Sequence, residues 1–217
     1  MNRSTLILAC AALAGALSLA ARGAADAAAD VTETRTPAGF DRVQVNGAFD
    51  VDVTAGRPGT HVTISGPADA VRATEMHVDG RTLRIATKAG LNVFSRAPHI
   101  AIALPVLRGF ANDGAASAHI SGIAGDALEL SDAGAAKIAA SGRVRTLAIE
   151  LNGAGTIDTT GLDARDVTVD NNGVGSVRVR ASGRLTANVN GVGEIRYAGT
   201  PANVDSHVNG IGRISRL

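Results

Sequence analysis

A glycine-bearing corner returns six times in the second half of the chain and constrains the fold more than any other feature. It reads NDGAAS (112–117), SDAGAAKIAA (131–140), LNGAGTIDTT (151–160), NNGVGSVRVR (171–180), VNGVGEIRYA (189–198) and VNGIGRISRL (208–217). The leading glycines are Gly114, Gly134, Gly153, Gly173, Gly191 and Gly210, at spacings of 20, 19, 20, 18 and 19 residues. A second punctuation, at Ser121-Gly122, Ser141-Gly142, Gly161, Ser182-Gly183 and Gly199, divides each interval. Each repeat is therefore a short strand, a Gly corner, a second strand and an Asn/Gly corner. A period near 19 is too short for a leucine-rich repeat or a propeller blade. It suits one coil of a parallel β-solenoid, with successive coils stacked about 4.8 Å apart and five intervals spanning roughly 24 Å. An antiparallel sandwich is the alternative, because Asn-Gly also favours tight hairpins. Sandwich loops are unequal, however, and have no reason to repeat residue identity at one corner.

Residue identities support stacking. Ile138, Ile157, Val177, Ile195 and Ile214 share one register and predict an apolar column inside the coil. Ala154, Val174, Val192 and Ile211, between the paired glycines, predict a second inward column at the corner. The second strand supplies Leu128, Leu130, Leu147, Ile149, Leu151, Val167, Val169, Val189 and Val208, the aliphatic types that strand pairing favours. Arg143, Arg145, Glu150, Arg165, Asp166, Arg178, Arg180, Glu194 and Arg196 fall on outward positions with both signs interspersed.

The first half alternates without repeating. RVQVNGAFDVDVT (42–54), HVTISG, RTLRIAT and HIAIALP read as short half-buried strands bounded by turn residues. Only PADAVRATE (67–75) resembles a helical turn. Residues 26–38 are Ala/Thr/Asp-rich and aperiodic, and predict a flexible lead-in. Before them, Arg3 and an apolar run from Leu6 to Ala21 ending in small residues have the anatomy of a signal peptide, residues 1–25, cut between 20 and 25. A membrane anchor is the alternative reading. Cys10 sits inside that run with most of the apolar segment after it, which makes it a core residue of the leader rather than a lipidation site. The mature chain then has no cysteine and relies on packing. Removing the leader takes Arg3 and Arg22 from the 21 basic residues and none of the 20 acids, leaving 19 against 20. A near-neutral chain without charge runs argues against nucleic acid as a partner.

The corner itself is a poor ligand loop. A phosphate loop needs a helix after the glycines with Lys and Ser/Thr behind, and only Lys137 follows a corner. A calcium-binding roll needs an Asp after each Gly-rich run, whereas Thr156, Ser176, Glu194 and Arg213 stand there. A lone cation beside Asp132 or Asp170 is the residual metal reading; no metal ligand set and no cofactor is assigned. Asn152, Asn172, Asn190 and Asn209 fall at equivalent positions and predict an amide ladder along the axis. His61, His77, His99, His119 and His207 show no paired ligand spacing. Asp158, Asp163, Asp166 and Glu194 could in principle serve glycoside hydrolysis. A sugar groove also wants aromatic platforms, and the chain has no Trp and one Tyr, Tyr197; Phe40, Phe49, Phe94 and Phe110 read as core or capping residues. No catalytic residue is assigned.

GFDRVQVNGAFDVDVTAG (39–56), the central LRI and the NGxG series resemble a bacterial domain family of unknown function, described as putative auto-transporter adhesin, head GIN domain. The resemblance runs from about Gly39 to Leu217. It implies a right-handed parallel β-helix over 39–217, a secreted or envelope location in the periplasm or at the cell surface, and a role in adhesion without catalytic residues. The matching positions, Gly39-Phe40, Gly47-Ala48-Phe49 and the NG corners, define the fold rather than a ligand site. The two functions to separate are a non-catalytic protein that binds surface components or acts as a scaffold, and a polysaccharide-acting enzyme. Arg213 and Arg216 in the last repeat either discourage edge pairing or mark an end that docks on a partner, such as a second copy.

Overall fold

The computed structural model describes residues 30–37, 39–88 and 96–217. The leader, Cys10 and Phe94 lie outside the described residues, so the readings placed on them stay expectations. The structure is a right-handed parallel β-solenoid with one short helix among the described residues, and its coils have two walls joined at the two corners.

Four long strands form the regular part: β9 (Ala115–Asp132), β10 (Ala135–Leu151), β11 (Ala154–Asn171) and β12 (Val174–Val189). Each runs along the first wall, bends at the Ser-Gly punctuation and continues along the second. Register shifts at Ala139/Ser141 and between Asp158 and Asp166 mark the bends. The strands pair in parallel, β9–β10–β11–β12. Beyond them the coil divides: β13 (Val192–Gly199) and β15 (Ile211–Arg216) extend the first wall, and β14 (Asn203–Val208) extends the second.

At the other end, β3 (Ala48–Ala55) and β7 (His99–Leu104) continue the first wall in parallel. β2 (Arg42–Asn46), β6 (Thr82–Thr87) and β8 (Gly109–Asn112) continue the second. Direction then reverses: β4 (His61–Pro67) lies antiparallel on β7, and β5 (Thr74–Asp79) antiparallel on β6. The reversal ends the parallel stack. β1 (Asp30–Arg35) pairs antiparallel with β4. Composition alone put this segment in the flexible lead-in; alternation is weak in DVTETR, and an edge strand gains its order from backbone pairing. α1 (Ala68–Ala73) packs against β1, β4 and β5 and buries Ala70, Val71 and Ala73.

The predicted inner column is present and longer than the repeats. Ile64, Ile100, Val51, Ala118, Ile138, Ile157, Val177, Ile195 and Ile214 stand in consecutive register on the first wall. Leu83, Val43, Phe110, Leu130, Ile149, Val169 and Ala187 do the same on the second. Phe40, Phe49 and Phe110 are buried, and Tyr197 packs against the core from an inward position.

The corner column is a correction. Val174, Val192 and Ile211 point outward, 57%, 46% and 76% exposed, and Ala154 is exposed as well. Strand alternation decides it: with Val177 inward, residue 176 faces out, Gly175 in and Val174 out. The interior of the corner is filled by the residues just before it, Asn112, Asp132, Leu151, Asn171 and Val189. Asn112 Nδ2 donates to Asp132 Oδ1 at 2.8 Å, and the Gly134 N–H donates to the same oxygen at 3.1 Å. Asp132 is completely buried, and its Oδ2 has no hydrogen-bond partner among the described residues.

The first glycines are explained by close approach. A Cβ on Gly134, Gly153, Gly173, Gly191 or Gly210 would stand 2.0 Å from the carbonyl oxygen of the glycine one coil earlier. The second glycines are as tightly held: a Cβ on Gly155 would meet Asp132 Oδ2 at 2.6 Å, and one on Gly193 would meet Asn171 Nδ2 at 2.8 Å.

Candidate functional site

The second wall presents two uninterrupted outward rows. One is Gln44, Ala111, Ser131, Glu150, Asp170, Asn188 and His207; the other is Arg42, Gly109, Glu129, Ala148, Thr168, Thr186 and Asp205. Small residues between long ones leave two shallow depressions. The first, of about 220 Å³, lies over Gly109 and Ala111 between Arg42, Gln44 and Glu129. The second, of about 270 Å³, lies over Ala148 and Ser131 between Glu129, Glu150, Thr168 and Asp170. Glu129 borders both. Arg42 Nη1 donates to Glu129 Oε2 at 2.6 Å, and this bond, against the pull of partial burial and aided by the guanidinium charge, holds the Glu129 carboxyl below its ordinary range. Glu150 and Asp170 are stacked neighbours; each accepts from an amide, Asn152 Nδ2 at 2.8 Å and Asn188 Nδ2 at 2.7 Å.

The Asn/Gly corner runs beside these rows. Asn172 Nδ2 donates to Asn152 Oδ1 at 3.0 Å, Asn190 to Asn172 at 2.8 Å and Asn209 to Asn190 at 3.1 Å. The predicted ladder is therefore present, on the surface. Next to it stands the exposed column of Val174, Val192 and Ile211, which sequence reasoning placed in the core. Alternation counted back from Val177 was the signal that could have found it.

Each of the four acids considered for hydrolysis is engaged by an arginine, a hydroxyl or a backbone N–H. Asp158 accepts from the hydroxyl and N–H of Thr160, with Arg178 Nη1 3.6 Å away. Burial pushes its carboxyl up, but those hydrogen bonds and the Arg178 charge outweigh it and hold it below the ordinary range. Glu194 is lowered first by its hydrogen bond from Arg213, with Arg196 and Arg178 adding to it. Asp163 lies between Arg143 and Arg180, each at 3.8 Å, and Asp166 accepts from the Arg184 N–H. A proton-donating carboxylic acid needs the opposite shift, upward. Arg213 and Arg216 both fold back onto the preceding coil, Arg213 to Glu194 and Arg216 to the Gly199 carbonyl.

Of the histidines, His207 lies 3.5 Å from Asp205 at the open end, while His61 and His77 are exposed on β4 and β5. His99 and His119 are brought to either side of one aspartate, Asp52. Non-local register does this, so no sequence spacing could have shown it.

Known proteins share this architecture. A putative adhesin of Bacteroides fragilis superposes with a TM-score of 0.67 at 22% identity, over 87% of this chain and 97% of that one. A putative adhesin of Parabacteroides merdae gives 0.51 at 17% identity, over 87% and 96%. Both show the fold. A search of curated proteins finds no match. The family profile described as Putative auto-transporter adhesin, head GIN domain, matches residues 39–201, most of the chain. By that match the protein belongs to the head GIN domain family of adhesin-like β-solenoids.

Proposed function

We propose that this is a non-catalytic protein of the cell envelope, periplasmic or at the cell surface, that binds surface components or acts as a scaffold through the second wall. The observation that carries the reading is the pair of seven-residue rows. Their depressions are shallow, and the carboxylates in them are hydrogen-bonded to arginine or amide partners. Such a surface offers repeated polar contacts at a fixed spacing. The fold neighbours described as adhesins support the same reading. Glycans or envelope proteins are the partners this surface fits. The exposed edges of β14 and β15, with Val204, Val208 and Ile211 largely uncovered, supply a place for a second copy to pair.

A glycan array, with size-exclusion chromatography and light scattering on the same sample, tests both parts. Binding without turnover, weakened by Glu129→Gln or Asp170→Asn, is the expected result. Turnover of any polysaccharide refutes the proposal.

A further inference from the structure

Three strands that are distant in sequence place four metal-capable side chains on one patch of the first wall. β3 carries Asp50 and Asp52 on its outer face, between β7 with His99 and β9 with His119. Asp50 stands directly opposite His99, and Asp52 directly opposite His119. The outward aim of all four is fixed by alternation with Val51, Val53, Ile100, Ile102, Ala118 and Ile120, each at most 3% exposed. His99 leans diagonally, bringing Nε2 to 3.5 Å from Asp52 Oδ2. Nitrogen and oxygen ligands at their usual distances from a tetrahedral divalent ion sit about 3.4 Å apart, so this pair already spans one edge of such a site.

The row through Asp52 reads Ala101, Asp52, His119, Ala139. Ala101 leaves the space over which His99 reaches, and Ala139 leaves the far side of His119 open. Two imidazoles and a carboxylate are a donor set for the borderline divalent metals rather than for calcium or magnesium. Among the described residues no three such groups already converge on one point. A side-chain rotation of exposed His119 toward its register neighbour Asp52 supplies the third ligand without moving the backbone.

We propose that His99, Asp52 and His119 form a surface site for a divalent ion of the zinc, nickel or copper class, with Asp50 beside His99 as its outer support. Three protein ligands leave a coordination position open to water or to a group from a binding partner. The site is on the first wall, separate from the rows argued above to bind surface components, and stands or falls independently of them.

Zinc titration of the full chain, followed through the imidazole signals of its five histidines by NMR, reads the site directly. The expected result is one zinc per chain, with the signals of His99 and His119 moving together and those of His61, His77 and His207 unmoved. His99→Ala, His119→Ala and Asp52→Asn each weaken binding roughly tenfold or more, the loss that even an outer-sphere partner commonly causes. His77→Ala and His207→Ala leave it unchanged. Thermal melts of the zinc-free variants should match the parent, since all three side chains are on the surface. No zinc uptake, or uptake that survives His119→Ala undiminished, overturns the proposal.

Discussion

Gly191→Ala adds one methyl group where two coils meet, and its cost can be worked from the geometry. The new Cβ would lie 2.0 Å from the Gly173 carbonyl oxygen and 2.6 Å from that of Asn172, when real Cβ contacts essentially never fall under 3.0 Å. All the nearest atoms are backbone, so no side chain can swing away. Relief requires the coils to part locally by about 1 Å, a fifth of a strand spacing near 4.8 Å. The Val192 N–H donates to that same Gly173 oxygen at 2.9 Å, and the Gly191 N–H donates to the Asn171 carbonyl at 3.1 Å. Overpacking costs about 1–3 kcal/mol and each weakened hydrogen bond about 1 kcal/mol. A loss of about 3 kcal/mol follows, against a total domain stability of roughly 5–15 kcal/mol.

Urea unfolding followed by circular dichroism measures it, with two glycines as internal standards. Gly80 has φ +59° and open space around its Cβ position, so Gly80→Ala carries backbone strain alone, about 1–2 kcal/mol. Gly125 has neither a positive φ nor a neighbour within 4 Å, so Gly125→Ala stays within about 0.5 kcal/mol of the parent. With a urea slope of about 2–3 kcal/mol per molar, Gly191→Ala lowers the midpoint by roughly 1–1.5 M. Because coils of a solenoid interact with nearest neighbours, loss of hydrogen-exchange protection should concentrate in β13 and β15. If Gly191→Ala unfolds at the same urea concentration as Gly125→Ala, close approach of stacked backbones is not why glycine recurs there.

Two further substitutions separate the corner from the core: Val192→Ser should change stability by no more than about 0.5 kcal/mol, whereas Ile195→Ala, three residues on and fully buried, costs about 2–5 kcal/mol. Thermal melts of the pair check this, and comparable losses would mean that Val192 is packed inside. Acid should destabilise the fold in a defined window. Glu129 and Asp158 both titrate below their ordinary values in the folded chain, so their stabilisation is complete above the unfolded carboxylate range, near pH 4, and is lost as pH falls through the lower folded values. The melting temperature is therefore flat from pH 7 to about 5 and drops below about 4, and Glu129→Gln makes the drop shallower.

How far the fold could be read from the chain depends on whether the determining contact repeats. The column from Ile138 to Ile214 is legible because each of these coils writes Ile or Val at the same offset, and a stacked register turns that offset directly into contact. The Asn ladder was legible for the same reason. β1 and the antiparallel cap were less so: DVTETR pairs through its backbone, and backbone pairing leaves no mark on side-chain identity.

The misplaced corner column shows a subtler limit. Aliphatic residues recurring beside glycine look like core, and hydrophobicity alone cannot say on which side of a corner they fall. What decides it is the size of the neighbours. A Cβ at the inward-facing Gly155 or Gly193 would strike the preceding coil's backbone, Ala136 O at 2.4 Å or Gly175 O at 2.0 Å, and also the side chain of Asp132 or Asn171 that occupies the corner interior. Once the glycines face in, alternation leaves Ala154 and Val192 no choice but to face out. The residues that fill the corner in their place, Asn112, Asp132, Leu151, Asn171 and Val189, stand two positions before each leading glycine, and three of the five are polar. Their burial becomes apparent only when the glycine two or more positions beyond the corner is treated as the space that admits a side chain from the preceding coils. The His99–Asp52–His119 patch lies beyond even that kind of reading, because its members meet through β7–β3–β9 register, where the chain does not repeat.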